Sequence, residues 1–241
     1  MRMVDLNCDL GEGFPDDARI FPLISSANIA CGFHAGNVDS MRRAVALAMS
    51  HGVTVGAHPS YRDRAGFGRR PVEILPDELA EQVLEQIEAL RSAARLEGGE
   101  VRYLKPHGAL YNRIAHDPEQ ADAVARAAAT ADLPLLGLAG SAIDAAARRH
   151  GVPFIAEAFA DRGFLADGTL VPRTSPGAVL SDPEEVAERV VLMIETGTVQ
   201  ASTGEIVPVD ARSLCVHGDS PDAVALLTAI RRRVPTVEAF A

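Results

Sequence analysis

The stretch VDLNCDLGEG at residues 4–13 contains the first side chains whose types and spacing could do chemistry. Its aliphatic residues alternate with polar ones, which predicts a β-strand that sends successive side chains to opposite faces. Asp5, Asn7 and Asp9 then share one face, and Glu12 follows between two glycines. A buried carboxylate needs a charged or hydrogen-bonding partner. The stretch is therefore interpreted as part of a site, with a solvated edge strand as the alternative.

The same pattern, an apolar strand followed by polar residues and glycine or proline, returns along the chain. His34, His58, His107 and His217 each follow such a strand. Histidine near carboxylates gives acid–base capacity near neutral pH, and Lys105 could neutralise an oxyanion or hold a phosphate. The other histidines are assigned no function, because they fall at predicted helix ends or in a loop: His51, His116 and His150.

These positions together form the predicted site. Its members are Asp5, Asn7, Asp9, Glu12, Asn28, His34, His58, Lys105, His107, Glu157, Asp161, Arg162, His217 and Asp219. The set could hold a metal, because an aspartate with two histidines makes a three-ligand catalytic site. No stretch has the HxxEH type of spacing, and a metal is therefore not predicted. GxxxxGK[ST] and GxGxxG loops are also absent, so a bound nucleotide would be held without them.

The elements that must position these residues alternate between strand and helix about seven times. Strands are predicted at 4–10, 26–32, 53–57, 101–104, 133–139, 153–158 and 213–216, with a hairpin at 199–209. Helices are predicted at 39–51 and 77–97, from 117, at 141–151 and 182–197, and from 220. This alternation indicates a parallel sheet covered by helices.

Polar residues end nearly every predicted strand, all around the fold. This favours a closed or nearly closed seven-stranded β/α barrel, because an open sheet would gather its site at one switch point. No linker or repeat interrupts the pattern, so residues 1–241 are predicted to form a single α/β domain.

An arginine- and glycine-rich segment at residues 60–71 is open to two interpretations. It contains Arg62, Arg64, Arg69 and Arg70 around two glycines. One interpretation is a solvated surface loop. The other is a mobile lid that meets an anion, since guanidinium groups suit carboxylate and phosphate.

Composition and charge exclude some classes of function. The 23 basic and 33 acidic residues give a net charge of −10, which argues against nucleic-acid and anionic-membrane binding. No apolar run could span a bilayer and no secretory leader is recognised, so a cytoplasmic protein is expected. Cys8, Cys31 and Cys215 lack zinc-ligand spacing and are predicted to be buried thiols.

Six motifs, in order, resemble those of the LamB/YcsF family over essentially the whole chain. They are DLNCDLGEG, SSANIACGFHAG, GAHPSYRDRAGFGRR, YLKPHGALYN, FADRGF and CVHGD. The resemblance implies a barrel of the glycoside hydrolase/deacetylase type. It also implies the function of the A component of bacterial 5-oxoprolinase, a hydrolase that opens the cyclic amide of 5-oxo-L-proline to L-glutamate. ATP, with Mg²⁺, is hydrolysed to ADP and phosphate in that reaction, and two further subunits, B and C, are required.

The implied reaction suggests roles for the predicted residues. Asp9 or Glu12 is the expected base, His58 and His107 are the expected proton carriers, and Lys105 is expected to contact the oxyanion or phosphate. Arg162 is expected to bind the substrate carboxylate. The remaining predicted residues would bind or orient the substrate: Asp5, Asn7, Asn28, His34, Glu157, Asp161, His217 and Asp219.

Two expectations allow these roles to be tested. Replacing His107 by Ala or Lys105 by Met is expected to abolish turnover while leaving folding intact.

Two other functions stay open at this point. One is a metal-dependent deacetylase or sugar hydrolase of the same superfamily, and the other is a non-catalytic subunit that binds substrate.

Overall fold

The computed structural model describes residues 4–220, 222–234 and 239. Its strands are β1 (Asp5–Leu10), β2 (Ser26–Ala30), β3 (Thr54–His58), β4 (Val101–Leu104), β5 (Leu135–Leu138), β6 (Phe154–Phe159), β7 (Thr198–Gln200), β8 (Ile206–Pro208) and β9 (Ser213–Val216). Seven of them close into a parallel barrel in the order β1-β2-β3-β4-β5-β6-β9. The pair β7-β8 is antiparallel and lies outside the barrel. The predictions of a closed seven-stranded barrel and of the hairpin are confirmed.

Helices connect most of the barrel strands. They are α1 (Asp17–Ile20), α2 (Val38–His51), α3 (Pro76–Leu96), α4 (Gly108–Ile114), α5 (Pro118–Ala131), α6 (Ala142–Arg149), α7 (Pro183–Thr196) and α8 (Ala223–Arg233). Asp117 and Asp182 cap α5 and α7 and are followed by proline, as predicted. The sequence predicts that the last helix starts at residues 220–221. Pro221 lies outside the described residues, so this start stays a prediction.

Helix α2 begins earlier than predicted. Asn37, not Asp39, caps it, because the Asn37 side chain accepts from the Ser40 N–H at 2.9 Å and the Ser40 hydroxyl accepts from the Asn37 N–H at 2.8 Å. This reciprocal pair is a capping box with serine in the third helical position.

Helix α4 is absent from the sequence prediction, which starts the next helix at Asp117. Its first residue is Gly108, and glycine is usually taken as a helix breaker. Here the backbone of Gly108 has a φ of 55°, a left-handed value that glycine adopts without strain. A Cβ there would come within 2.7 Å of the Gly68 oxygen. This close approach lets the Ala109 N–H donate to Gly68 at 2.9 Å. The close packing of this helix start against the backbone of Gly68 therefore explains why residue 108 is a glycine.

The barrel strands bury both of their faces, but with different chemistry. On β1, Leu6 and Cys8 pack in the main hydrophobic core. Asn7 points the other way and donates to Glu157 on β6 at 2.9 Å and to Ser213 on β9 at 2.7 Å. Because β6 is not a neighbour of β1, the first of these bonds crosses the barrel interior. The polar face of β1 is therefore inside the barrel, and the alternative of a solvated edge strand is wrong.

Two further sequence expectations concern cysteines and membranes. Cys8, Cys31 and Cys215 are buried and form no disulfide, as predicted. Within residues 4–220 and 222–234, no helix is long and apolar enough to cross a membrane.

Candidate active site

A cavity of about 730 Å³ opens at the carboxyl ends of the barrel strands. Several predicted site residues line it: Asp9, His58, Lys105, His107, Arg162 and His217. Others do not line it: Asp5, Asn7, Glu12, Asn28, His34, Glu157, Asp161 and Asp219. The recurrence of polar residues after strands thus identifies the correct end of the barrel, where β/α barrels build their sites.

Lys105 sits at the centre of a buried polar network inside the barrel. It is the only lysine in the chain, and its side chain is 2% exposed. Its Nζ lies 2.8 Å from a Glu157 oxygen and 3.1 Å from an Asp9 oxygen, and it also donates to Asn7 and Cys215. Burial alone would lower the pKa of Lys105, but the Asp9 charge and then Cys215 and Glu157 raise it well above its ordinary value. Lys105 is therefore a fixed cation.

Asp9 connects this network to the cavity. One of its oxygens accepts from Asn28 at 2.8 Å and lies 3.1 Å from Lys105, and the other lies 3.3 Å from His58 Nε2. Asn28 is held in turn by the Tyr103 hydroxyl at 2.6 Å. Burial alone would raise the pKa of Asp9, but His58 and Lys105 outweigh it and hold the pKa well below its usual range. Asp9 is therefore an ionised carboxylate at neutral pH.

His58 and His107 lie with two ring nitrogens in contact. His58 Nδ1 is 2.8 Å from the Lys105 carbonyl oxygen, and His107 Nε2 is 2.9 Å from the Phe67 carbonyl oxygen. A carbonyl oxygen only accepts, so both of these nitrogens carry hydrogen. The remaining nitrogens, His58 Nε2 and His107 Nδ1, face each other at 2.9 Å. Such a contact is favourable only with a proton or another cation between them.

Glu12 and His34 form a second buried contact beside this pair. The Ser60 hydroxyl donates to the Tyr61 carbonyl at 2.8 Å, so it accepts from His34 Nδ1 at 3.0 Å. His34 Nε2 then faces the Glu12 carboxylate at 3.1 Å. Burial raises the pKa of Glu12 well above its ordinary value and holds the pKa of His34 below its ordinary value. Glu12 and His34 stand behind the cavity lining, so neither is positioned to meet a substrate directly.

Three arginines give the cavity its positive charge: Arg69, Arg162 and Arg173. Arg162 is 5% exposed and donates to the carbonyls of Ala178 at 2.9 Å and Val171 at 2.6 Å, which fixes its guanidinium. Burial, and then the nearby Arg173, lower the pKa of Arg162 to about 10, so it stays charged at neutral pH.

Asp219 bridges two of the arginines rather than lining the cavity. It forms an ion pair with Arg69, from the loop after β3, and lies 3.4 Å from Arg173, in the loop after β6. It therefore ties two loops together at the cavity mouth. Among the other arginines of residues 60–71, Arg70 pairs with Asp63, and Arg64 donates to main-chain carbonyls. Arg62 pairs with Glu85, so Arg69 is the one arginine of residues 60–71 that lines the cavity. Closure of this segment over an anion stays a prediction.

Asp161 orients His217 at the cavity wall. The carboxylate accepts from His217 Nδ1 at 3.0 Å and from its backbone N–H at 3.1 Å. Burial alone would raise the pKa of Asp161, but the His217 contact lowers it below its ordinary value. Phe159 stacks on the His217 ring at a centroid distance of 5.5 Å. Asp161 therefore acts on the cavity through His217.

Asp5 lies away from the other predicted residues, at the amino end of β1. It accepts from the hydroxyls of Ser25, Ser26 and Ser213, which belong to the starts of β2 and β9 or precede them. The expectation that it joins the others at the carboxyl ends of the strands is wrong, because β1 is long enough to cross the barrel interior. Burial raises the pKa of Asp5 from 3.8 to about 6.

The Asp5→Asn variant is expected to show a flatter dependence of stability on pH. Because the pKa of Asp5 is raised on folding, the folded state holds this proton more tightly than the unfolded chain does. Its stabilising effect is complete below the unfolded pKa and is lost as pH rises through the folded pKa, a total of about 3 kcal/mol. Denaturant unfolding at about pH 4 and about pH 7.5 measures this loss. An equal loss in both proteins would contradict the assignment.

Sequence reasoning missed several residues of the cavity lining. Among them are Tyr111, His116 and Arg173. Tyr111 is on the unpredicted helix α4, so no strand-end signal could find it. Its hydroxyl is buried and makes no hydrogen bond among the described residues, although burial and the nearby Glu157 raise its pKa well above the ordinary value. His116 also lines the cavity. It is assigned no function from the sequence, because it does not directly follow a predicted strand.

Comparison with known proteins gives consistent matches along the chain. Residues 4–239 match the LamB/YcsF family. The chain is 52% identical over 239 residues to a Streptomyces avermitilis protein named as a subunit of 5-oxoprolinase, covering 96% of each chain. It is 54% identical over 238 residues to the protein of that name from Symbiobacterium thermophilum, covering 96% of this chain and 91% of the other.

A solved structure agrees with the fold. The crystal structure of a lactam utilization protein from Thermus thermophilus superposes with a TM-score of 0.94 at 43% identity, covering 99% of this chain and 100% of that one. Because the family match spans residues 4–239, the chain belongs to the LamB/YcsF family.

Proposed function

We propose that this chain is the part of an ATP-dependent 5-oxoprolinase that binds 5-oxo-L-proline and opens its lactam ring to give L-glutamate. The charge of the cavity carries the proposal. Arg69, Lys105, Arg162 and Arg173 line it, and Asp9 is the single carboxylate in its described lining. Such a cavity suits a small carboxylate that also receives a phosphoryl group. The names of the relatives, 5-oxoprolinase subunit and lactam utilization protein, support the same class of substrate.

The chemistry explains why ATP is needed. Amide resonance makes the lactam carbon a poor electrophile. Transfer of the γ-phosphoryl group to the amide oxygen forms a C–O–P bond, releases ADP and activates that carbon. Water then adds to the carbon and gives a proton to the base, the ring C–N bond breaks, and the nitrogen takes up a proton. A second water cleaves the resulting acyl phosphate to glutamate and inorganic phosphate.

The geometry suggests which residues carry the charges of this reaction. The Lys105 ammonium is positioned to stabilise negative charge on the amide oxygen or the phosphoryl group. Arg162 is the candidate for binding the substrate carboxylate, because its guanidinium is fixed by two carbonyls and forms no salt bridge in the described part of the chain. A fixed guanidinium loses little conformational freedom on binding a carboxylate.

The proton transfers are assigned to Asp9 and the adjacent histidines. Asp9 is preferred to Glu12 as the base, because Asp9 lines the cavity and Glu12 does not. His58 lies 3.3 Å from Asp9 and contacts His107 at 2.9 Å, which provides a path from the base to a second cavity residue. The pair is thus suited to return the proton to the leaving nitrogen.

The rest of the enzyme is proposed from the chemistry and from the relatives' names. ATP with Mg²⁺ is the co-substrate, and 5-oxoprolinase subunits B and C are the partner chains. The relatives are named as one subunit of their enzyme, which implies further subunits in their complexes. The reaction is assigned to the cytoplasm, where ATP is available.

Glutamate release from 5-oxoproline and ATP tests the proposal. The assay is run with this chain alone, with B and C alone, and with all three. Release only when all three are present is the expected result. Release by B and C alone at the full rate would overturn the assignment of lactam chemistry to this chain. Failure of all three, with folded proteins, would overturn the substrate.

The Tyr111→Phe variant is expected to raise KM for 5-oxoproline about fivefold at unchanged stability. Tyr111 lines the cavity, and its buried hydroxyl lies near Glu157 without a hydrogen bond among the described residues. We expect a bound substrate to supply the missing partner, and a lost ligand hydrogen bond costs about 1 kcal/mol. Tyr61→Phe is the matched control, because the Tyr61 hydroxyl donates to Gln120 outside the cavity. The control should lower the melting temperature and leave KM unchanged. An unchanged KM in Tyr111→Phe would contradict the prediction.

A further inference from the structure

Four side chains beside the cavity bring unshared electron pairs to one place. Glu12, His34, His58 and His107 each offer one donor atom, and these atoms all lie within 4.8 Å of one another. The three histidines are buried, and the Glu12 side chain is 2% exposed. At this depth such a cluster of lone pairs is favourable only with shared protons or a bound cation between the atoms.

The hydrogen bonds on the outer side of each ring determine which nitrogen faces the cluster. His58 Nδ1 donates to the Lys105 carbonyl, His107 Nε2 to the Phe67 carbonyl, and His34 Nδ1 to Ser60. Each ring therefore turns its second nitrogen towards the others, and in a neutral imidazole that nitrogen carries no hydrogen. These inner nitrogens are His58 Nε2, His107 Nδ1 and His34 Nε2. Metal-binding histidines have this arrangement, in which the outer nitrogen donates to a carbonyl or other acceptor.

We propose that Glu12, His34, His58 and His107 bind one divalent transition-metal ion, with zinc as the ion that best suits three imidazoles and a carboxylate. Asp9 is not among the ligands, because Lys105 already neutralises it at 3.1 Å. The same cation argues against a second group of possible ligands, Asp9, Cys215 and His217, since Lys105 Nζ also lies 3.0 Å from the Cys215 sulfur.

The loop after β3 is shaped to cover this cluster. A Cβ on Gly68 would come within 2.8 Å of His34 and 2.9 Å of His107, so only glycine lets the backbone lie this close to the rings. The His34 and His107 rings are parallel at a centroid distance of 3.9 Å. One ion shared by both requires one ring to tilt, and the loop must yield slightly as it does so.

Metal analysis of the isolated chain tests the proposal without lactam, ATP or partner chains. The protein is treated with a chelator, loaded with Zn²⁺ or Co²⁺, and freed of excess ion. We expect about one ion per chain, and visible d–d absorption in the Co²⁺ form whose intensity indicates a low coordination number. His34→Gln and Glu12→Gln should each lower the affinity more than about tenfold, and Ser60→Ala, which removes only the outer partner of His34, by about 10–100-fold.

His217→Gln is the matched control, because His217 belongs to the other group of possible ligands. It should keep the full metal content. Loss of the ion in this variant but not in His34→Gln would overturn the proposed ligand set. A folded wild-type chain that binds no ion after loading would overturn the proposal altogether, and histidine ¹⁵N spectra would then show protons shared within the cluster.

The inference changes the roles of two residues without depending on the proposed function. With an ion bound, His58 and His107 act as ligands rather than as proton carriers. Metal content and glutamate release are separate measurements, so either proposal can fail while the other holds.

Discussion

Lys105→Met is expected to reduce glutamate release by the three-subunit enzyme at least about 100-fold, because it removes the chain's single lysine ammonium from the proposed oxyanion. The variant should also unfold more easily, in contrast to the sequence-based expectation of intact folding. Lys105 is ion-paired with Asp9 at 3.1 Å and Glu157 at 2.8 Å inside the barrel. Removing one partner of a buried ion pair costs about 3–5 kcal/mol.

A second substitution separates the two effects. In Lys105→Met/Glu157→Gln, one of the two uncompensated carboxylates is also removed, so part of the lost stability should return. Activity should not return, because the ammonium is still missing. Denaturant unfolding and glutamate release are measured on wild type and both variants. If the double variant regains activity together with stability, the role of Lys105 is structural and the proposed contact with the substrate is wrong.

The architecture could be predicted because its causes are local. Strands and helices alternate, and their boundaries are marked by local signals in the sequence. Examples are the capping residues Asp117 and Asp182, each followed by proline at the first helical position. Parallel strands in a barrel present their carboxyl ends at one rim, so His58, Lys105 and His107, which follow strands in the sequence, could be placed together. The same reasoning needs no knowledge of side-chain orientation.

What could not be predicted depends on contacts between distant segments. Asp5 and Asp9 share a strand and a face, but only the length of the barrel interior shows that they lie at opposite ends. Helix α4 begins at Gly108, and a side chain there would clash with the backbone of Gly68, forty positions earlier in the sequence. The tautomers of His58 and His107 depend on two carbonyls from other loops. No spacing rule contains this information, which is why the sequence does not predict a metal.

Asp9→Asn is expected to lower kcat about 10²–10⁴-fold, the range for loss of a general base, while leaving the barrel folded. Asparagine keeps the shape of the side chain and can still accept from Asn28. The substitution should also bring the pKa of Lys105 down towards its ordinary value, because Asp9 is the strongest of the charges that raise it. Lys105 is the only lysine, so ¹⁵N-lysine labelling gives one side-chain signal on which to follow this change.

Asp5→Asn provides the matched control for this experiment, since it makes the same change on the same face of β1 at the end away from the cavity. We expect its kcat and KM to equal those of wild type, and a raised KM would instead support the sequence-based expectation that Asp5 binds substrate. Metal content adds a third readout, because Asp9 lies outside the proposed ligand set and its variant should bind one ion per chain as wild type does. An Asp9→Asn enzyme with wild-type turnover would remove Asp9 as the base and leave Glu12, which can serve only if its carboxylate is not bound to a metal. If a metal occupies Glu12, Asp9 is therefore the remaining candidate for the base.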